Sequence, residues 1–222
     1  MATDGVLNGP ELLPAAGAPL RQLVVLLHGY GADGTDLIDL GRFWQALLPN
    51  AAFLAPHAPE PLPFEGFGGR QWFALDERTP AEYRIGAGTA QPVLDRFLDK
   101  TLADFALDGS ALALFGFSQG AMMALQCGLR RKVPPAAILA YSGLLPGADR
   151  LQGVQKQSPV LIVHGEDDDV VPSYHAGAAH RALSDSGIDA SLHELPGLAH
   201  SIDDRGVTVG GRFLQKAFAD QR

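Results

Sequence analysis

Six short apolar runs, at 23–27, 51–55, 111–117, 136–141, 160–163 and 190–195, alternate with longer amphipathic stretches along the chain. The first five are continuously apolar and only 190–195 alternates. Continuous hydrophobicity marks strands covered on both faces, as in a parallel sheet flanked by helices. The intervening stretches predict helices over 36–48, 92–105, 118–130, 174–186 and 205–219. Strand alternating with helix gives a doubly wound α/β architecture, whose chemistry gathers at the carboxyl ends of the strands. A length of 222 residues, 46% of them hydrophobic, fits one domain over 1–222 with a core large enough to need no disulfide or metal. Residues 56–88 break the alternation, with prolines at 56, 59, 61, 63 and 80. So long a connector is expected to be a functional excursion over the site.

Gly116-Phe117-Ser118-Gln119-Gly120 follows the run 111–115 and opens the helix expected from Ser118. A G-x-S-x-G sequence between strand and helix places its serine on a sharp, strained turn. The flanking glycines are needed because side chains there would strike the neighbouring helix and strand. The helix N-terminus offers free N–H groups to a developing oxyanion. A serine N-cap between two glycines is the plain alternative for the pentapeptide by itself.

A serine hydroxyl needs a base, and the base needs an orienting acid, in the chain order Ser, Asp or Glu, His. Of the seven histidines, His164 precedes the candidate acids, His175 and His180 fall in an expected helix, and His193 falls in an expected strand. His200 alone lies in a loop after the last strand, so it is the candidate base. The acid belongs to the loop after the penultimate strand, where Glu166, Asp167, Asp168 and Asp169 stand together. Spacing does not choose among them. No His or Cys accompanies these acids at metal-ligand spacing, and no metal is expected.

His28-Gly29-Tyr30-Gly31 follows the first run, and the backbone N–H of Tyr30 pairs naturally with that of Gln119 as an oxyanion hole. Gly29, Gly31 and Gly34 also spell the G-x-G-x-x-G of a dinucleotide site, which raises a nicotinamide-dependent oxidoreductase as a rival. The ribose-binding acid expected about 20 residues later is missing, because 51–55 runs into Pro56-His57.

A net charge of −8 argues against nucleic acid and anionic membrane surfaces as partners. The single cysteine, Cys127, leaves no intrachain disulfide and reads as a buried packing thiol. No apolar stretch reaches membrane-spanning length and the first 18 residues lack the pattern of a signal peptide, so a cytoplasmic protein is expected.

With these residues placed, the chain resembles the phospholipase/carboxylesterase family, which includes acyl-protein thioesterases. The matching segments are Leu27-His28-Gly29-Tyr30-Gly31, Pro56-His57-Ala58-Pro59, Trp72-Phe73, Gly116 to Gly120, His164-Gly165 through Val171-Pro172, and His200-Ser201. The resemblance implies the α/β-hydrolase fold, a mostly parallel central sheet with helices on both faces. It selects Asp168 as the acid, four residues after His164 and four before Pro172. It also implies a cofactor-free serine carboxylesterase that cleaves short- to medium-chain esters or acyl thioesters through an acyl-enzyme. A lactone or dienelactone hydrolase on the same fold is the nearer alternative. Ala74 stands where the family pattern has an aspartate, and Gly66 to Arg70 looks like the bacterial esterase branch, so protein depalmitoylation is not carried over. Phe64, Phe67, Trp72 and Phe73 are expected to wall an acyl pocket or to anchor the long loop. Arg70 is read as a loop-solvating arginine, with contact to an anionic substrate group as the alternative.

Overall fold

The computed structural model describes residues 7–63, 68–154 and 157–220. Its main sheet takes strands β1 (Glu11–Leu12), β2 (Gln22–Leu27), β3 (Ala51–Leu54), β6 (Leu112–Phe117), β7 (Ala137–Tyr141), β8 (Val160–Gly165) and β9 (Ala190–Leu195). Two further strands, β4 (Glu60–Pro61) and β5 (Arg70–Gln71), form a separate antiparallel pair. Across the main sheet the order is β1-β3-β2-β6-β7-β8-β9, and every pairing is parallel except β1 against β3. The continuously apolar runs occupy its centre. The alternating one, β9, is an edge strand, half of it exposed.

The pleat of β2 shows how the sheet is covered. Val24 and Leu26 join one apolar core, packed by α1 (Ile38–Trp44) and α5 (Asp204–Ala219). Leu23, Val25 and Leu27 join the other, packed by α2 (Pro80–Asp104), α3 (Gln119–Gly128) and α4 (Tyr174–Asp185). Both faces are therefore dry, and period-two patterning disappears from the central strands.

The largest departure from the sequence expectation is α2, which begins at Pro80 rather than Pro92. Thr79 caps it by accepting the Glu82 N–H at 3.2 Å, and Pro80 sits at the first helical position, where its missing N–H costs nothing. The Glu82 carboxylate folds back onto the N–H groups of Asp76 and Arg78. Pro92 lies inside the helix, where it withholds a donor from the Gly88 carbonyl without ending the helix. The irregular excursion is correspondingly shorter, and its later part is the first turns of α2.

Candidate active site

Ser118 closes β6 and precedes α3 with φ 55° and ψ −116°, a conformation costly for any residue with a Cβ. Packing on both sides enforces it. A Cβ on Gly116 would come within 2.1 Å of the Gly120 carbonyl, and one on Gly120 within 1.9 Å of the Leu27 carbonyl. The elbow is thus wedged between helix and strand, and the Ser118 hydroxyl makes no capping hydrogen bond. Ser118 stands at the N-cap position of α3, as the plain reading has it, but its side chain does not do the capping.

Of the four acids after β8, only Asp168 turns inward; Glu166, Asp167 and Asp169 are exposed. Asp168 Oδ1 accepts the N–H groups of Val170 at 3.0 Å and Val171 at 2.8 Å. Its Oδ2 lies 2.7 Å from His200 Nδ1. Burial alone would raise the proton affinity of this carboxyl. The His200 hydrogen bond and the Val171 and Val170 N–H groups outweigh it and hold the group below its ordinary value. Asp168 is therefore the acceptor, and His200 carries its proton on Nδ1. The His200 ring rests on Phe117, with centroids 4.9 Å apart, one residue before Ser118.

Main-chain bonds fasten the acid loop to the base loop. Glu166 N–H donates to the Leu195 carbonyl at 3.1 Å and Asp167 N–H to the Leu198 carbonyl at 3.0 Å. Gly165 permits that approach, since a Cβ there would meet the Leu198 carbonyl at 2.1 Å.

At the loop after β2 and at the elbow, Gly31 N–H is spent on the Arg70 carbonyl at 2.9 Å and Ser118 N–H on the Tyr141 carbonyl at 2.8 Å. The N–H groups of Tyr30 and Gln119 have no acceptor among the described residues. The glycines of the rival dinucleotide motif have local causes. A Cβ on Gly29 would crowd Ser118 Cβ at 3.2 Å, Gly31 has φ +82°, and a Cβ on Gly34 would strike the Ala55 carbonyl at 1.9 Å.

Three side chains that the sequence reading passed over hold this frame. His28 is fully buried, and burial pushes its proton affinity down, so the ring is neutral. Its Nε2 accepts Ala58 N–H at 2.9 Å, which puts the proton on Nδ1, donated to the Gly29 carbonyl at 2.8 Å. The Gln119 side chain accepts Trp72 N–H at 2.9 Å and donates to the Phe73 carbonyl at 2.7 Å, tying the excursion to the elbow. His164, also fully buried, donates from Nε2 to the Val171 carbonyl at 2.7 Å. The spacing of His28 and His164 one residue before a glycine at a strand end was visible; their partners were not.

Trp72 and Phe73 pack into the core, and they also line a cavity of about 560 Å³ with Ile85 and Val93, whose lining includes neither Ser118 nor His200. Phe64 and Phe67 lie outside the described residues. Arg70 corrects its expectation: its guanidinium donates to the Ala58 and Pro59 carbonyls and braces the proline-rich segment rather than solvating a loop. Cys127 is buried, and burial pushes its thiol well above the ordinary value. No helix among the described residues is long and apolar enough to cross a membrane.

The family model described as phospholipase/carboxylesterase matches residues 11–218. Esterase YpfH of Escherichia coli K12 is 28% identical over 189 residues, covering 85% of this chain and 80% of that protein. Acyl-protein thioesterase 1 of Saccharomyces cerevisiae is 29% identical over 218 residues, covering 90% of this chain and 95% of that protein. Among solved structures, the crystal structure of esterase PE8 superposes with a TM-score of 0.90 at 44% identity, covering 96% of this chain and 99% of that one. The fold is that of the α/β-hydrolases. Elbow, acid loop and base loop all fall within the matched span, and the chain belongs to the phospholipase/carboxylesterase family.

Proposed function

We propose that the chain hydrolyses short- to medium-chain carboxylic esters or acyl thioesters through an acyl-enzyme, with Ser118, His200 and Asp168 as its triad. As a family member it is a serine hydrolase of the carboxylic-ester class. The observation that carries the residue assignment is the His200–Asp168 hydrogen bond of 2.7 Å, set beside a strained serine whose own hydroxyl is spent on no cap.

In this reading His200 Nε2 takes the Ser118 proton as Oγ attacks the acyl carbon. Asp168 fixes the tautomer and stabilises the imidazolium that forms. The unpaired N–H groups of Tyr30 and Gln119 receive the oxyanion, and the Gln119 side chain keeps that donor in register by its grip on residues 72 and 73. The leaving alcohol or thiol takes the proton from His200, and water repeats the path on the acyl-enzyme. Trp72 and Phe73 supply an apolar wall for the substrate.

Labelling by a fluorophosphonate probe tests the nucleophile, with Ser118→Ala expected to abolish the label. Retained labelling of that variant would refute the assignment. A panel of p-nitrophenyl esters and acyl-CoA thioesters of increasing length reads the acyl preference, and activity confined to long chains would overturn the short- to medium-chain reading.

A further inference from the structure

A cavity of about 650 Å³ opens between the first turns of α2, the loop after β7 and the first turns of α4. None of Ser118, Asp168 and His200 lines it, but two of its walls adjoin the segments that carry Ser118 and Asp168. Leu144 and Leu145 in its wall follow Gly143, where a Cβ would stand 2.9 Å from the Ser118 carbonyl. His175 on the opposite side has its N–H on the Pro172 carbonyl, at 3.0 Å, where the Asp168 loop ends.

Its charged lining is unequal. Arg150 and Asp149 stand 3.7 Å apart and answer each other. Arg84 is half-buried and has no ion pair or hydrogen bond among the described residues. Its stem is held nonetheless: a Cβ on Gly147 would meet its Cγ at 3.2 Å and its Cδ at 3.3 Å. A guanidinium without a counter-charge, on a stem packed against Gly147 and set in a partly apolar cavity, is a receptor for a planar anion. Other arginines without an ion pair or hydrogen bond, such as Arg96, Arg181 and Arg212, are exposed to solvent, whereas Arg131, half-buried like Arg84, holds both Asp95 and Asp99.

We propose that Arg84 is a specificity residue, receiving a carboxylate that the ester substrate carries away from its scissile carbonyl. The substrate class is then an ester with an anionic end. This rests on the Ser118 hydrolase reading.

The test pairs charged with neutral esters, using wild type, Arg84→Gln and Arg84→Lys. p-Nitrophenyl hydrogen glutarate against p-nitrophenyl valerate puts the charge on the acyl side. 4-Butyryloxybenzoate against phenyl butyrate puts it on the leaving side. In one pair, Arg84→Gln is expected to lower kcat/KM for the carboxylate ester about 10- to 100-fold, chiefly through KM, and Arg84→Lys to fall between. Neutral esters should stay within about twofold, and 0.5 M NaCl should erode the wild-type preference. An equal effect on charged and neutral members of both pairs, or none on either, would overturn the proposal. Ser118-dependent turnover of the neutral esters upholds the hydrolase reading whichever way the charged pairs fall, and its absence would sink that reading separately.

Discussion

One oxygen of Asp168, Oδ2, receives the Nδ1–H of His200 at 2.7 Å and lies 3.2 Å from Nε2 of His164. The second oxygen is held by two backbone N–H groups. The carboxylate therefore cannot rotate without breaking several bonds at once, and the imidazole it orients inherits that rigidity. In the proposed mechanism, a base held this way starts each turnover in one tautomer.

Replacing Ser118, the proposed nucleophile, tests the geometry as well as the chemistry. Ser118→Ala and Ser118→Gly should each lower kcat on p-nitrophenyl butyrate by about 10⁴–10⁶-fold. Their stabilities should differ. At φ 55° an alanine keeps the strain of its Cβ and a glycine relieves it, so the glycine variant should be more stable by about 1 kcal/mol in urea unfolding. Equal midpoints would mean that the elbow stores no strain.

Asp168→Asn should cost about 10⁴-fold in kcat by favouring the wrong His200 tautomer. Its effect on stability should depend on pH in one direction. The folded carboxyl sits below the ordinary 3.8, so as pH falls the unfolded chain takes up its proton first. The stabilisation is complete above the ordinary value and is lost as pH drops through the folded one. Urea midpoints of wild type and variant should lie furthest apart at pH 7 and converge below about pH 4. A constant gap across that range would contradict the depressed carboxyl.

What could be read from the sequence was what depends on neighbours in sequence. The elbow is local: Gly116 and Gly120 are defined by their two-residue distance from Ser118, and the structure gives each a backbone atom to avoid. Asp168 was not readable from spacing, because the four acids differ only in which one the turn buries, and the family resemblance had to choose. The start of α2 was readable and passed over, since Thr79-Pro80-Ala81-Glu82 is a helix entry that prolines upstream disguised as loop. The two-residue strands β1, β4 and β5 are too short to show any period. His164 was set aside as a base, and its supporting role was not readable because its partner, the Val171 carbonyl, reaches it only through the turn that Asp168 itself caps.

That arrangement makes His164 a positioning residue for the acid. Its Nε2–H satisfies the carbonyl of the residue whose N–H holds Asp168 Oδ1. His164→Ala should leave that carbonyl unpaired, loosen the turn and lower kcat about 10- to 100-fold, with KM changed less than threefold on a neutral ester. Fluorophosphonate labelling should slow but persist, because Ser118 is untouched. Unchanged kcat in a folded variant would show the histidine to be packing alone.

Gly165 ties the acid loop to the base loop, and the prediction for it is correspondingly severe. An added methyl at this position must displace the Leu198 carbonyl, 2.1 Å from its Cβ, and the Ala199 carbonyl, 2.6 Å away. Both are backbone atoms, so no side-chain rotation relieves the clash, and the segment that moves leads directly into His200. Overpacking of this kind costs about 1–3 kcal/mol, so Gly165→Ala should unfold at lower urea. The displaced imidazole should also leave the place the proposed mechanism requires of it, lowering kcat by about 10²-fold or more even where the variant is fully folded. The parallel register of β8 with β9, which pairs Gly165 with Leu195, should survive, leaving the far-ultraviolet circular dichroism unchanged. A folded Gly165→Ala with wild-type kcat would mean that the base loop has room to move away from the acid loop without losing His200, contrary to the main-chain bonds at Glu166 and Asp167 that join them.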